Sequence, residues 1–218
     1  MSETNSDAPR HRRARNSLTV ESILGAAESV AAAGFEALTI RAVATELQSS
    51  PMALYRYFST KDELVDALLN RVLDRFERPS ETDSWIADLG TFARRHRELL
   101  TSHPWAIAPL IANPYPGPSV LPIGEAALRI LHRAGISGDS AVATFSGIVA
   151  LNYGWASFVV ARETGSGDQP AESTLPGTPT EYALTVEVAE AMSRYGSDEH
   201  YERVLSQLLT GIRASSLM

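Results

Sequence analysis

The chain reads as all-α, and three observations carry that. Apolar residues recur at i, i+3, i+4 and i+7 through most of its length, the period of helices with one buried face. No run alternates apolar and polar residues as a half-buried strand does, and no internal repeat stands out. Glycine and proline collect in a few segments that punctuate the helical stretches.

Taken in order, residues 1–17 are polar and expected to be disordered. A first helix is predicted over 20–33, with Thr19 as its cap and Val20, Ile23, Leu24, Ala27 and Val30 as its buried stripe. Gly34 supplies the left-handed stop. Ile40, Val43, Ala44 and Leu47 make a second, short helix capped by Thr39. The polar run Gln48, Ser49, Ser50 breaks the period. Ser50 then caps a third helix and Pro51 takes its first position, where a missing N–H costs nothing. Leu54 and Phe58 turn toward the core, which leaves Pro51, Met52, Ala53, Tyr55, Arg56 and Tyr57 on the other side. Two short helices about a tight turn, with aromatic and basic groups outward, have the shape and chemistry that fit a DNA major groove. A fourth helix opens at Ser59 or Thr60, with Asp62 or Glu63 completing a capping box. Its stripe is Leu64, Val65, Leu68, Val72 and Phe76, and it ends before Pro79.

These residues carry a resemblance. The pattern Gly34, Phe35, Leu38, Thr39, Ile40, Arg41, Val43, Ala44 and Ser50, then Leu54, Tyr55, Arg56, Tyr57, Phe58, Lys61 and Leu64, resembles the N-terminal domain of the tetracycline-repressor (TetR/AcrR) family over about 18–76. The resemblance implies that Arg41, Ser50, Met52, Ala53, Tyr55, Tyr57 and Lys61 contact DNA, with Pro51 opening the same face. Tyr55, Tyr57 and Lys61 are then expected on phosphates, and Arg41 and the start of the third helix at base edges. One departure is visible: the turn usually carries glycine, and Gln48 stands there. A side chain in a left-handed turn costs roughly 1 kcal/mol, so a slightly reshaped turn is expected.

Beyond Pro79 the periods predict a helix over 84–102, with Leu89, Phe92, Ala93, His96, Leu99 and His103 on one stripe. A short segment at 105–112, a turn-rich run at 113–118 and a helix over 120–134 stopped by Gly135 follow. A long helix then runs from Asp139 or Ser140 to about 163. Residues 164–180 are low in complexity and read as a flexible loop, and helices over 181–194 and 198–214 close the chain. Residues 85–163 resemble the C-terminal domain of the tetracycline-repressor subclass. The organisation expected is therefore a basic arm (1–17), a DNA-binding domain (18–62) and a helical ligand-binding and dimerisation domain (63–218).

Within that last domain, Phe92, His96, His103, Trp105, Tyr115, Phe145, Tyr153 and Phe158 are candidates to line an apolar ligand pocket. Packing in an ordinary core is the alternative for each. Gly147, Ala150 and Gly154 let another helix approach closely, and Tyr201, Val204, Leu205, Leu208 and Ile212 form a stripe on the last helix. The resemblance implies that two such helices per subunit make a four-helix dimer interface. The alternative is that both stripes pack inside one subunit. Members of the subclass that bind a magnesium–drug chelate use a histidine soon after the segment matching His103. Residues 105–113 hold none, so tetracycline is not the expected inducer, and no metal or cofactor is expected.

Composition narrows the classes further. The absence of cysteine excludes a disulfide framework and a thiolate metal site. No nucleophile elbow, P-loop or dinucleotide fingerprint points to an enzyme. The Arg-rich start is no signal peptide, and the apolar stretch 147–161, interrupted by Asn152, is expected to be too short to cross a membrane. The expectation is a cytoplasmic homodimeric regulator, most simply a repressor, that binds a palindromic double-stranded operator and leaves it when a small hydrophobic ligand binds. The alternative is a helical ligand-binding or scaffold protein without an operator.

The net charge of −7 hides an uneven distribution: Arg10, Arg12, Arg13 and Arg15 form a basic arm, while acidic residues dominate after about residue 81. The arm reads either as a solvated tail or as a phosphate contact. If it holds phosphates, deleting residues 1–16 flattens the log–log salt dependence of DNA binding by about 0.9 for each phosphate no longer neutralised. Titrations at several salt concentrations measure this, and an unchanged slope returns the arm to a solvated tail.

Overall fold

Residues 18–165 and 182–216 are described by the computed structural model, which is helical with no strand among them. The basic-arm arginines and most of the segment expected as a loop, 166–180, lie outside the described residues.

The head folds as its local signals require. α1 (Val20–Ala32) opens on a reciprocal box: Ser22 N–H donates to Thr19 Oγ1 at 3.1 Å, and Thr19 N–H donates to Ser22 Oγ at 2.9 Å. Ile23, Leu24, Ala27 and Ala31 form its buried side, and Val20, expected on that stripe, is 48% exposed because the cap lies at the rim. A 3₁₀ turn at Phe35–Ala37 leads into α2 (Ile40–Glu46) and α3 (Pro51–Leu54), capped by Thr39 and Ser50 through the N–H groups of Ala42 and Ala53. α3 is a single turn, shorter than the sequence pattern suggests. The N–H groups of Tyr57 and Phe58 both donate to the Leu54 carbonyl, at 2.9 and 3.0 Å, and this tightening closes the helix while keeping Phe58 buried.

α4 (Lys61–Leu73) is capped by Thr60, and the Glu63 carboxylate reaches back to accept the Ser59 N–H at 2.6 Å. It stops short of Phe76, which leaves the helix through i→i−3 bonds yet meets the Phe92 ring edge-on at 5.5 Å. α5 (Trp85–Ser102) is the axis of the second half, packed against α7 (Leu121–Arg133), α8 (Gly138–Gly165) and α11 (Asp198–Ser215). α6 (Ile107–Ala112) follows a 3₁₀ turn at Pro104–Ala106.

Two expectations need correcting. The helix expected over 181–194 is two short ones, α9 (Ala183–Glu187) and α10 (Ala189–Ser193), broken at Val188. Leu184, Val186, Val188 and Met192 are all exposed, so no buried face holds one continuous helix. α8 has 28 residues, and its stretch Gly138–Ala161 is long and apolar enough to cross a bilayer, which overturns the reading from the shorter apolar run. Its middle, however, is tied to α5 and α11 at the fully buried Asn152, which donates to the Ala93 carbonyl and accepts the Tyr201 hydroxyl.

The two halves are joined on both sides of α4. On one side the Glu28 carboxylate of α1 takes Arg75 at 2.5 and 2.8 Å and Arg71 at 3.3 Å, while Arg71 also reaches Glu21 at 2.6 Å. Hydrogen bonds and charge from both guanidiniums, Arg75 first, hold the Glu28 carboxyl below the usual carboxylate range. Arg75 Nη1 also lies 2.6 Å from His103 Nε2, and His103 Nδ1 faces the Leu99 carbonyl at 2.9 Å. The ring therefore donates to Leu99 and accepts from Arg75. On the other side Asn70 donates to the Pro116 carbonyl and accepts the Ser119 N–H, both at 3.0 Å, while Asp66 accepts from Asn113. A Cβ on Gly117 would sit 2.3 Å from Asn70 Nδ2, so only glycine lets this clamp close.

Gln48 occupies the left-handed region with φ of 50°. Gln48→Gly is expected to raise the unfolding free energy by up to about 1 kcal/mol, and Gln48→Val to lower it by about 1–2 kcal/mol. Denaturant midpoints at constant slope measure both, and equal stability of the three proteins contradicts the strain.

Candidate functional site

The head presents one exposed face. Its backing is the buried pair Leu54 and Phe58, with Val43 and Ala44 of α2 behind them. In front stand Met52, 73% exposed, with Tyr55, Arg56 and Arg41, and Pro51 and Ala53 half-buried between. Arg41 and Arg56 enter no ion pair among the described residues, whereas Arg71 and Arg75 one helix further on are paired with carboxylates. This leaves cations available on one side of an otherwise acidic chain. The Ser50 hydroxyl already accepts from Ala53 N–H, so it offers an outside partner its own proton. Lys61 Nζ rests 5.3 Å from the centre of the Phe35 ring, a cation–π seat at the start of α4. Tyr57 was expected on a phosphate, and its hydroxyl is the group that could donate to one. That hydroxyl donates to the Leu18 carbonyl at 2.6 Å, and its proton is spent on fixing the entry of α1.

The second half holds an aromatic cluster around α5. The His96 ring stacks parallel to Phe92 with centroids 6.1 Å apart, and Tyr153 of α8 meets it edge-on at 5.9 Å. Phe145 lies 6.4 Å from Phe92. Asn152 Nδ2 donates to the Ala93 carbonyl at 2.9 Å and to His96 Nδ1 at 3.1 Å, and its Oδ1 accepts the Tyr201 hydroxyl at 2.8 Å. Burial drives the His96 pKa down to about 4, and raises those of Tyr153 and Tyr201 to about 12. These groups are neutral at physiological pH.

A profile described as tetracyclin repressor-like, C-terminal domain, matches residues 78–216, and one described as bacterial regulatory proteins, tetR family, matches 23–68. The chain belongs to the tetracycline-repressor family. Among characterised relatives, the HTH-type transcriptional repressor DrrR1 of Streptomyces coeruleorubidus is 34% identical over 60% of this chain and 50% of its own length. An HTH-type transcriptional regulator of Saccharopolyspora erythraea is 33% identical, again over only 60% of its own length. The tetracycline repressor protein class A from transposon 1721 of Escherichia coli is 27% identical over 85% of both chains. In fold, the TetR family protein ActR of Streptomyces coelicolor, crystallised with actinorhodin, superposes with a TM-score of 0.80 at 24% identity, covering 91% of this chain and 98% of that one. The relatives named here are regulators and not enzymes.

The predicted sites divide when placed on this member of the family. Phe92, His96, Phe145 and Tyr153 converge, and Trp105 is buried in the turn before α6. Tyr115 is 58% exposed in the turn after α6, and Phe158 is exposed beside Trp155 and Tyr195, so neither joins that cluster. His103 also leaves it. α5 ends at Ser102, the chain swings to φ −134° at residue 103, and the ring turns to Arg75 instead of following His96. On the dimer candidates, Gly147, Ala150 and Gly154 are exposed along α8. Tyr201, Leu205 and Ile212 are buried within the chain, whereas Val204 and Leu208 of the same stripe are half-buried. Asn152 was read only as an interruption of an apolar run. A polar residue inside such a run must be hydrogen-bonded if buried, and that was the signal for the network.

The neutrality of His96 has a measurable consequence. Its pKa falls from 6.5 to about 4 on folding, so between these values the unfolded chain holds more protons and stability drops as the pH drops. His96→Gln is expected to lose less stability than the native chain on going from pH 7 to pH 4.5 in denaturant melts. Equal losses contradict a buried neutral imidazole.

Proposed function

We propose that two copies of this chain bind a palindromic operator, repress transcription from it, and release it when a small hydrophobic molecule enters the C-terminal half. The exposed face of the head carries this reading: Arg41, Met52, Tyr55 and Arg56 stand clear of intramolecular ion pairs on a rigidly capped helix-turn-helix. Arg41 reads a base edge, Met52 and Ala53 touch thymine methyls, and Tyr55, Tyr57 and Lys61 follow the phosphates. Tyr57 acts there through its ring position, since its proton serves Leu18. The repressor name of DrrR1 and the actinorhodin complex of ActR support the two halves of the proposal.

A dimer is what the reading task requires, because one short helix reads few bases and a two-fold pair reads both half-sites of a palindrome. The exposed small residues Gly147, Ala150 and Gly154 of α8 favour that helix as the surface of approach. The protein then works in the cytoplasm, where its DNA is, and needs no cofactor. Release follows from α4 and the turn that ends it: Arg75, two residues past the helix, is gripped by His103, and Asn70 by the turn at 116–119. A ligand that moves the end of α5 moves α4, and with it the two heads. Successive major grooves on one DNA face lie about 34–36 Å apart, so a change of a few ångströms breaks the match.

Gel shifts on the DNA flanking the gene test this. Arg41→Ala is expected to relax discrimination at one position per half-site, worth about 1–3 kcal/mol, while Lys61→Ala weakens operator and random DNA alike. Equal losses on both DNAs for Arg41→Ala refute the base-reading role, and no operator binding by the native chain refutes the regulator.

A further inference from the structure

The Ala93 carbonyl can only accept, so the amide group of Asn152 facing it is the NH₂. The same NH₂ faces His96 Nδ1, which must then be a bare acceptor, and the neutral ring carries its proton on Nε2. Nε2 has no partner among the described residues. Among those residues the sealed side-chain nitrogen without a partner is Nε of Arg97, so Nε2 belongs to the 5% of His96 that is accessible. A donor of fixed tautomer thus stands unpartnered on a ring that stacks on Phe92 and meets Tyr153 edge-on, and a buried histidine left so calls for a partner.

Resting on the reading that an effector enters this half of the chain, we infer that His96 selects it: the effector is a flat aromatic molecule whose neutral carbonyl-type oxygen accepts the Nε2–H. Asn152 and Tyr201 are positioning residues that fix the tautomer. A ligand whose only polar group is a protonated amine offers no acceptor. A carboxylate is disfavoured, because the walls Phe92, Phe145 and Tyr153 supply no cation. Protonating His96 to match it would set an Nδ1–H against the Asn152 N–H. The low pKa of the ring agrees with this, since it stays an uncharged donor through the physiological range.

Two probes of one shape, 9-fluorenone and fluorene, test the donor directly, with tryptophan emission as the readout and operator gel shifts beside it. The native chain is expected to bind fluorenone about three- to tenfold more tightly than fluorene, the worth of one added hydrogen bond. His96→Phe keeps the stacked ring and is expected to bring the ratio to about one, and Tyr201→Phe to reduce it in part. Fluorene-2-carboxylate is expected to bind no better than fluorene. Equal binding of the two neutral probes by the native chain, or a preference that survives His96→Phe, overturns the donor while leaving the pocket standing. If neither probe changes emission up to its solubility, the pocket itself falls, and the proposal with it. Nitrogen-15 spectra of the native chain's histidines give a reading independent of any variant. A neutral Nε2–H ring unchanged between pH 5 and 8 supports the assignment, and an Nδ1–H tautomer or a titrating ring ends it.

Discussion

Glu28 is where the two halves of this chain become one structure. It sits on the first helix of the head, but its oxygens take the guanidiniums of Arg71 on α4 and Arg75 just past its end, and Arg75 continues to the ring that ends α5. None of these pairs is deeply buried, and a surface pair by itself contributes little. The contribution here is geometric. Two arginines on one carboxylate, with an imidazole accepting from the second, leave few arrangements that satisfy all of them at once. The opposite face of α4 is fixed by Asn70, whose amide is used at both ends in a place only a glycine can border. Between these clamps Leu64, Leu68, Leu69, Val72 and Leu73 bury the rest of the helix. α4 is therefore a rod shared by head and body, and it moves with both.

The head was legible in the sequence because its signals are local. Thr19, Thr39, Ser50 and Thr60 each cap the helix that follows, and the stripes behind them are buried at their centres, with Val20 exposed at the rim. Gln48 announced its own strain by standing where a left-handed turn is needed. The body was legible only as helices. Periodicity tells which face of α11 is apolar, but not which neighbour covers it, and Tyr201, Leu205 and Ile212 turned out to face their own chain. His96 and His103 share a stripe only while the helix lasts, and it ends one residue before the second of them. The Glu28 and Asn70 clamps join residues more than forty positions apart, and no local pattern marks such pairings.

α8 is the element whose sequence was most ambiguous, because it is apolar on two sides. Its inward side carries Ile148, Asn152 and Ala156, all buried, and its outward side carries Gly147, Ala150 and Gly154. At 3.6 residues per turn these sets lie on nearly opposite faces. A helix of that kind has no single hydrophobic direction, and its composition alone is compatible with a membrane. What assigns the inner face is one polar side chain. Asn152 spends its NH₂ on Ala93 and His96 and its carbonyl on Tyr201, and hydrocarbon offers none of these partners.

The same side chain links regions that otherwise only touch through packing. A shift of the His96 ring disturbs Asn152, and Asn152 holds α8 to α5 and α11. Leaving any member unpaired in that buried setting costs about 1–3 kcal/mol, comparable to the coupling free energy that separates two states of an allosteric protein. The network therefore favours a concerted move of three helices over the isolated rotation of one ring. α5 carries both His96 and the Leu99 carbonyl that holds His103, and His103 accepts from Arg75, which in turn holds Glu28 of the head, so cluster and head are linked by one helix and a short chain of hydrogen bonds.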